Sequence, residues 1–307
     1  MRYLIFGGNG FIGSHLAEAL IKQGYDVRVF DDFKSGKNNL SDFNEDVEII
    51  KGDFFNETDI SNALNDIDCV FHYIYKTTPA TATRDPVYDI QSNLVGSVKL
   101  FQEVLKSDVK KIIFPSSGGT IYGITTGIPA KEDDPVNPIN PYAISKLAIE
   151  QYLKYLNYMY GLDYLILRYS NPYGSRQNPY GMQGVIPIFL NKIKHGETPK
   201  IYGDGSMIRD YIYVEDAIEA TVAVLNINTS ENIFNVGSGK GTSLNELVDV
   251  ISNVVGFEVI PDYIEYSEKF IPRIVLDISR IKRISGWSPT TELSDGINKT
   301  WMWINTI

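Results

Sequence analysis

The chain contains few of the residues that build metal sites or disulfides. Its 307 residues include one cysteine, Cys69, and three histidines, His15, His72 and His195. A single cysteine cannot form an internal disulfide, and the apolar run around Cys69 is typical of a small buried strand residue. The histidines have no second soft ligand at metal-binding spacing. We therefore predict neither a structural nor a catalytic metal.

An excess of positive charge and long apolar runs are also missing. Lys and Arg number 28 against 38 Asp and Glu, and the net charge is -10. This balance argues against binding to nucleic acid or to an anionic membrane surface. No apolar run approaches the roughly 20 residues of a membrane helix, and Met1 leads directly into an apolar strand pattern without a signal peptide. We expect a cytoplasmic protein with a small-molecule ligand.

Short apolar runs alternate with amphipathic segments over the first 170 residues. The strand-like runs are 2–6, 25–30, 47–50, 69–73, 111–115 and 164–168, and the helical patterns are 14–23, 60–64, 88–105 and 141–160. This alternation predicts an α/β fold with a Rossmann-type, doubly wound parallel sheet. The pattern loosens afterwards. We predict a nucleotide-binding domain over 1–170 and a smaller α/β substrate domain over 171–307, with an interleaved boundary.

A glycine-rich turn, Gly7-Gly8-Asn9-Gly10-Phe11-Ile12-Gly13, joins the first strand to the first helix. In this setting Gly7 allows a tight turn, Gly10 lets the backbone approach a pyrophosphate, and Gly13 lets the helix pack against the strand. The second strand ends in Asp31-Asp32, about 18 residues after Gly13, which is roughly where an acid binds a ribose 2'-hydroxyl. The pattern predicts a dinucleotide site that favours NAD over NADP.

Tyr142 and Lys146 lie four residues apart at the start of a helix that Pro141 favours, so they share a helix face. A neighbouring ammonium and a cationic nicotinamide would both lower the pKa of the phenol and make it a usable base. The hydroxyl-rich segment 115–123 ends a predicted strand about 20 residues upstream. We predict that this pair moves the proton of a hydroxyl group.

The order of these motifs resembles the extended short-chain dehydrogenases/reductases. Further motifs carry the resemblance: Gly52-Asp53, Asn93, Tyr122-Gly123, 168–174, 209–214, 276–279 and 286–289. Together they cover nearly the whole chain and are most similar to the NAD-dependent epimerase/dehydratase branch, in particular the UDP-glucose (UDP-galactose) 4-epimerases. The resemblance implies an isomerase with tightly held NAD that inverts C4 of a UDP-hexose through a transient 4-keto sugar, for polysaccharide or glycoconjugate synthesis.

The resemblance also implies residue roles: Tyr142 is the base, Lys146 binds the nicotinamide ribose, and Asp53 contacts the adenine. The implied cofactor-binding residues are Gly7, Gly10, Phe11, Ile12, Gly13, Asp31, Asp32, Asp53, Phe54, Asn93, Tyr142 and Lys146. The implied substrate-binding residues are Asn171, Val185, Tyr202, Arg209 and Arg273. The planar guanidinium of Arg209 suits a diphosphate, and the alternative is a salt bridge to a carboxylate such as Asp216.

The chain departs from the family at the catalytic hydroxyl. Family epimerases usually carry Ser or Thr four residues before the tyrosine of the Tyr-Gly pair, where this chain has Gly118. On an extended segment Thr120 would point the same way as position 118 and could supply the hydroxyl. Ser117 could do so if the glycines bend the strand. We prefer Thr120, and the lack of an acid in this segment argues against 4,6-dehydration.

Other departures concern the substrate and cofactor pockets. Ser267 stands where the family has a diphosphate-binding arginine. Either Arg273 or Lys269 takes over this role, or the affinity for the diphosphate is lower. Enzymes that reject N-acetyl sugars often have a bulky residue at the position of Ile274. Isoleucine is intermediate in size, so the preference between plain and N-acetyl sugars stays open. The segment 73–76, Tyr-Ile-Tyr-Lys, replaces small residues beside the cofactor. It either narrows the nicotinamide pocket or belongs to a displaced loop.

Alternatives to an epimerase are an NAD(P)-dependent keto-sugar reductase or dehydrogenase of deoxysugar synthesis, and a nucleotide-binding sensor without catalysis. The segments 88–105 and 141–160 are apolar on more than one side, which is typical of helices buried on more than one side. In related enzymes these two helices form a four-helix dimer contact, so the resemblance implies a homodimer.

Overall fold

Residues 1–34, 36, 38–125, 127–265 and 271–307 are described by a computed structural model of the protein. They form two units that alternate along the sequence. Unit 1 comprises Met1–Ser117, Pro138–Leu167 and Ser230–Ile233, and unit 2 comprises Gly118–Asn137, Arg168–Thr229 and Phe234–Ile307.

Unit 1 consists of strands that alternate with helices. Its strands are β1 (Arg2–Phe6), β2 (Asp26–Asp31), β3 (Glu48–Lys51), β4 (Cys69–His72), β5 (Lys111–Ser117) and β6 (Asp163–Tyr169), the last of which continues into unit 2. Its helices are α1 (Phe11–Lys22), α2 (Glu57–Ala63), α3 (Pro79–Arg84), α4 (Pro86–Asp89), α5 (Gly96–Val104) and α6 (Pro141–Tyr160). A 3-10 turn spans Ser41–Phe43, and a π-helical segment spans Ile90–Val95.

Unit 2 has shorter elements. Its strands are β7 (Asn171–Tyr173), β8 (Lys200–Tyr202), β9 (Ile208–Arg209), β10 (Tyr211–Tyr213), β11 (Ile233–Val236, which begins in unit 1), β12 (Thr242–Ser243) and β13 (Asp262–Ile264). Its helices are α7 (Val185–Lys194), α8 (Val214–Leu225), α9 (Leu244–Val255), α10 (Ser279–Ser285) and α11 (Leu293–Ile304).

The main sheet has seven strands in the order β3-β2-β1-β4-β5-β6-β11. Strand β1 pairs in parallel with β2 on one side and with β4 on the other. The strand order therefore reverses at β1, and the turn after Phe6 lies at the switch point where such sheets bind ligands. This strand order and the parallel pairing confirm the predicted doubly wound α/β fold. Strand β1 is buried on both faces, as is usual in such sheets.

The helix predicted over 88–105 is interrupted. A π-helical segment at Ile90–Val95 separates α4 from α5. The Ser92 and Ser97 hydroxyls each donate to the carbonyl four residues earlier, at 2.6 Å. Apolar spacing could not predict the interruption, because the extra residue per turn leaves the overall pattern helical.

Across the described ranges, no helix is both long and apolar enough to cross a membrane.

Candidate active site

A groove of about 300 Å³ lies at the switch point of unit 1. Its lining residues are Gly7, Asn9, Gly10, Phe30, Asp31, Asp32, Gly52, Phe54, Tyr73, Ile74, Tyr75 and Lys76. Gly7 has a φ of +80°, and a Cβ there would lie 2.9 Å from the Tyr73 carbonyl carbon. A Cβ on Gly13 would clash with the Gly7 carbonyl. The turn thus accepts no side chains at these points, and its backbone stays open toward the groove.

Asp31 and Asp32 end β2 at this groove. The Asp31 carboxylate accepts hydrogen bonds from the backbone N–H groups of Asn9 and Phe33, both at 3.1 Å. Burial raises the pKa of Asp31, and these two hydrogen bonds act against that rise. Asp32 forms an ion pair with Lys76 at 3.0 Å. A glycine cradle with a carboxylate beyond it fits the diphosphate and the ribose of a dinucleotide.

The other predicted cofactor residues surround this groove or adjoin it. Phe54 lines it, and Asp53 is oriented by hydrogen bonds between its backbone N–H and Asp59 and between its carboxylate and the Phe55 N–H. Phe11 and Ile12 open α1. Asn93 is buried, and its amide oxygen accepts a hydrogen bond from the Lys76 N–H at 2.7 Å. Asn93 thereby supports the groove wall from behind.

Tyr142 lies in the first turn of α6. The Asn140 side chain caps this helix by accepting a hydrogen bond from the Ala143 N–H at 2.9 Å, and Pro141 is the first helical residue. The phenol of Tyr142 is hydrogen bonded to the Ser117 hydroxyl at the end of β5. Burial raises the pKa of Tyr142, the Ser117 hydrogen bond lowers it, and the Asp89 carboxylate raises it further.

Lys146 lies one turn later and is 4% exposed. Its ammonium donates to the Pro115 carbonyl at 2.7 Å and lies 5.8 Å from the centre of the Tyr142 ring. Burial lowers the pKa of Lys146 to about 7, against the opposing effect of the Glu150 and Asp89 carboxylates. We expected a lowered pKa for the phenol. Among the chain's own groups burial has the larger effect and raises that pKa, so the expected lowering depends on the nicotinamide.

The end of β5 and the glycines after it help to decide between Ser117 and Thr120 as the catalytic hydroxyl. Strand β5 ends at Ser117, and residues 118–122 form a turn rather than the extended segment that we assumed for Thr120. Gly118 has no space for a side chain, since a Cβ would lie 2.6 Å from Leu276 Cδ1 and 2.9 Å from the Arg168 carbonyl oxygen. The family's usual hydroxyl is therefore excluded from position 118 by packing within unit 2.

All five residues predicted to bind substrate lie in unit 2: Asn171, Val185, Tyr202, Arg209 and Arg273. The Asn171 side-chain amide donates to the Asp210 carbonyl at 2.9 Å. Arg209 donates to the Ile208 carbonyl at 2.8 Å, and burial lowers its pKa. The alternative partner Asp216 instead accepts hydrogen bonds from Thr290 and Thr291. Arg209 is thus a partly buried cation without that salt bridge.

The segment around Arg273 runs beside β9. Ile208 pairs in parallel with Arg273, which puts Arg273 on the face opposite to Arg209, because neighbouring residues of an extended segment alternate. Arg273 is exposed, whereas Ile274 is 1% exposed and packs with Ile121 and Leu276. Val185 opens α7, and Tyr202 ends β8. Ser267 and Lys269 lie outside the described residues.

Sequence reasoning missed a buried polar cluster behind the Tyr142/Lys146 pair. Asp89 is fully buried and accepts hydrogen bonds from Ser145 at 2.5 Å, from Asn93 at 2.9 Å and from Thr77. Tyr75 packs against the pair from the loop after β4. Asp89 lies four residues before Asn93, and this spacing on a helical pattern was the signal available in the sequence. Among the described residues, no cluster suited to a metal ion is found.

The chain is similar to known proteins over nearly its whole length. Residues 3–237 match the model of the NAD dependent epimerase/dehydratase family. A putative UDP-glucose 4-epimerase of Methanocaldococcus jannaschii is 39% identical over 98% of this chain and 97% of its own. UDP-glucose 4-epimerase of Thermotoga maritima, solved with UDP-glucose, has a TM-score of 0.93 and 36% identity over 100% and 99% of the two chains. UDP-N-acetylglucosamine 4-epimerase of Methanobrevibacter ruminantium has a TM-score of 0.91 and 34% identity over 99% and 98%.

Proposed function

Because this chain belongs to the NAD-dependent epimerase/dehydratase family, we propose that it interconverts the 4-epimers of a UDP-hexose, with glucose/galactose or their N-acetyl forms as the sugar. The family assignment confirms the resemblance found in the sequence. The observation that carries the proposal is the buried pair of Tyr142 and Lys146, with the Ser117 hydroxyl on the phenol, in the unit that holds the glycine-lined groove.

The chain's own residues bind and move a proton. Tyr142, as phenolate, accepts the proton of the sugar 4-hydroxyl, and the Ser117 hydroxyl stabilises the phenolate by its hydrogen bond. The chemistry that bound NAD supplies is removal and return of a hydride at the sugar C4. Tyr142 then returns the proton to the 4-oxygen. Because the hydride is also returned to C4, the reaction involves no net oxidation. Gly10, Asp31 and Lys146 would hold the diphosphate, the adenosine ribose and the nicotinamide ribose.

The substrate diphosphate would bind unit 2. Arg209 offers a guanidinium that can donate several hydrogen bonds to phosphate oxygens, and burial strengthens its attraction for an anion. Asn171 adjoins the Asp210 carbonyl and offers the rest of its amide to the UDP moiety. Val185, Tyr202 and Arg273 complete the proposed set.

The experiment is incubation of the purified protein with UDP-glucose and, separately, with UDP-N-acetylglucosamine, first without and then with added NAD+. Proton NMR follows the 4-epimer. We expect conversion to an equilibrium mixture without accumulation of NADH. Stoichiometric formation of NADH from the added NAD+ would identify a dehydrogenase instead. Tyr142→Phe is the control: it should lose the activity and keep NAD binding, since it removes only the phenol oxygen that accepts and returns the proton.

We also propose a homodimer through helix α6. Ile144, Tyr152, Tyr155 and Met159 are each at least 41% exposed and recur at helical spacing on one face. The opposite face, with Ile149 and Leu153, is buried in the core of unit 1. Light scattering during gel filtration should give the mass of two chains, and Tyr155→Lys should shift it toward one. A single-chain mass for the unmodified protein would refute the dimer. The proposal includes a cytoplasmic location, which cell fractionation tests.

A further inference from the structure

Tyr75 connects the cofactor groove to the catalytic pair. It lies in the loop after β4 and lines the groove together with Gly10 and Asp31. The family has small residues in this segment, as noted in the sequence. The side chain is half-buried, so it is part of the packed site and not a solvent-exposed loop residue.

The Tyr75 ring touches both members of the pair. The Lys146 ammonium lies 4.0 Å from the centre of the Tyr75 ring, closer than the 5.8 Å to the Tyr142 ring. The Tyr75 and Tyr142 rings meet edge to face with centroids 4.9 Å apart. The Tyr75 hydroxyl donates to the Tyr142 backbone carbonyl at 3.2 Å. A cation on a ring face and an edge-to-face ring pair are both attractive arrangements.

A chain of hydrogen bonds fixes the Tyr75 ring from behind. The Tyr75 hydroxyl, which donates its proton to the Tyr142 carbonyl, adjoins the Ser145 hydroxyl, and Ser145 donates its own proton to the buried Asp89 carboxylate at 2.5 Å. Asn93 and Thr77 complete the bonds to Asp89. Ser145 lies between Tyr142 and Lys146 on α6. The Tyr75 hydroxyl therefore adds a hydrogen bond to the helix turn that carries the pair, while the ring contacts with Tyr142 and Lys146 do not depend on it.

We propose that Tyr75 is a positioning residue for the catalytic pair, holding the Lys146 ammonium on its ring face and the Tyr142 ring against its edge. Lys146 is buried, where an ammonium is costly without partners. Its partners are the Pro115 carbonyl and two ring faces, that of Tyr75 at 4.0 Å and that of Phe114 at 4.6 Å, so Tyr75 provides the nearer ring. The inference rests on the proposed epimerase function, because proton transfer by Tyr142 is what the positioning serves.

The kinetic test compares Tyr75→Phe with Tyr75→Leu. Phe keeps the ring face and edge, so kcat should stay within about fivefold of the unmodified protein, whereas Leu should lower kcat roughly 30-fold because misplaced catalytic groups lose rate steeply. The KM for the UDP-sugar should change less than about threefold in both, since positioning acts on the reacting state. Equal losses for Phe and Leu, or a Leu variant with normal kcat, would overturn the proposal.

Tyr25→Leu is the matched control. Tyr25 forms an edge-to-face pair with Tyr3, with centroids 5.1 Å apart, away from the groove. Its replacement removes a similar ring pair from the same unit and should lower the melting temperature without lowering kcat. A loss of kcat as large as that of Tyr75→Leu would show that lost stability explains the result and would also overturn the proposal.

A crystallographic comparison tests the inference without an activity assay. In crystals of the protein and of both variants grown with NAD, Lys146 Nζ should keep its place in Tyr75→Phe and move by about 1 Å or more in Tyr75→Leu, a displacement large enough to matter for catalysis. An unmoved Lys146 in Tyr75→Leu would overturn the proposal. If the unmodified protein epimerises neither UDP-sugar, the proposed function fails, while this comparison still decides whether Tyr75 holds Lys146.

Discussion

The Ser117 hydroxyl is hydrogen bonded to the Tyr142 phenol, and this bond lowers the pKa that burial raises. Ser117 is the last residue of β5, at the carboxyl edge of the sheet, and Tyr142 is the second residue of α6. The two residues come from separate elements of unit 1. The bond makes Ser117 our candidate for the hydroxyl that position 118 does not carry.

Ser117→Ala should reduce kcat by roughly 100- to 1,000-fold, the range for loss of one hydrogen-bond donor to a developing oxyanion. The loss of a bond that lowers the pKa of Tyr142 should raise that pKa, so the acid limb of the kcat profile should move to higher pH. Steady-state rates measured from about pH 5 to about pH 10, the ordinary pKa of tyrosine, check this shift. Thr120→Val is the control, and a larger loss in Thr120→Val would reinstate Thr120.

Asp89→Asn should move the acid limb of the kcat profile to lower pH, opposite to the effect of Ser117→Ala. The Asp89 carboxylate raises the pKa of Tyr142 and that of Lys146. Removing the charge lowers the pKa of the phenol, so the active form is reached at lower pH, by up to about one unit. Tyr75, Glu150 and His72 also face the pair and are unchanged in this variant.

The exposed Asp85 provides the control for that shift. It caps α4 by accepting a hydrogen bond from the Tyr88 N–H at 2.9 Å, a role that asparagine also fills. Asp85→Asn should leave the pH profile in place. A profile that stays fixed in Asp89→Asn, or that moves equally in both variants, would contradict the assigned electrostatic effect.

Gly118→Ser should not restore a family-like hydroxyl at low cost. Its Cβ would lie 2.6 Å from Leu276 Cδ1 and 2.9 Å from a backbone oxygen, so the surroundings must shift. We expect a loss of about 1–3 kcal/mol in the free energy of unfolding, typical of overpacking. At Gly119 the nearest atom would be at 3.5 Å. Gly119→Ser should therefore leave the free energy of unfolding, measured by urea denaturation, nearly unchanged. Equal losses for both variants would disprove the packing argument.

Asp31→Asn should narrow the preference for NAD over NADP. Removing the charge would weaken the proposed hydrogen bond to the adenosine ribose hydroxyl, which should lower NAD affinity roughly tenfold, about 1.4 kcal/mol. It also removes charge repulsion toward a 2'-phosphate. Titration calorimetry with both dinucleotides checks the ratio of affinities. Asp32→Asn, which breaks the ion pair with Lys76, should change the ratio less, and an unchanged ratio in Asp31→Asn would contradict the role of Asp31.

Local patterns in the sequence predicted much of the fold. The glycine turn, the runs of β1 and β2, and helix α6 with its Pro141 start follow from short-range rules of backbone conformation and apolar spacing. These rules act between residues close in sequence, so they can be read before any tertiary contact is known. The family resemblance depended on the same local motifs in their order.

The sequence by itself therefore determined the fold class, the family, and the Tyr142/Lys146 pair on one helix face. Tertiary structure alone decided which hydroxyl meets Tyr142, why Gly118 has no room for one, and that Tyr75, Ser145 and Asp89 stand behind the pair. It also decided the pKa shifts. The physical reason is that burial, hydrogen-bond partners and side-chain clashes depend on segments distant in sequence, whose approach no local pattern encodes.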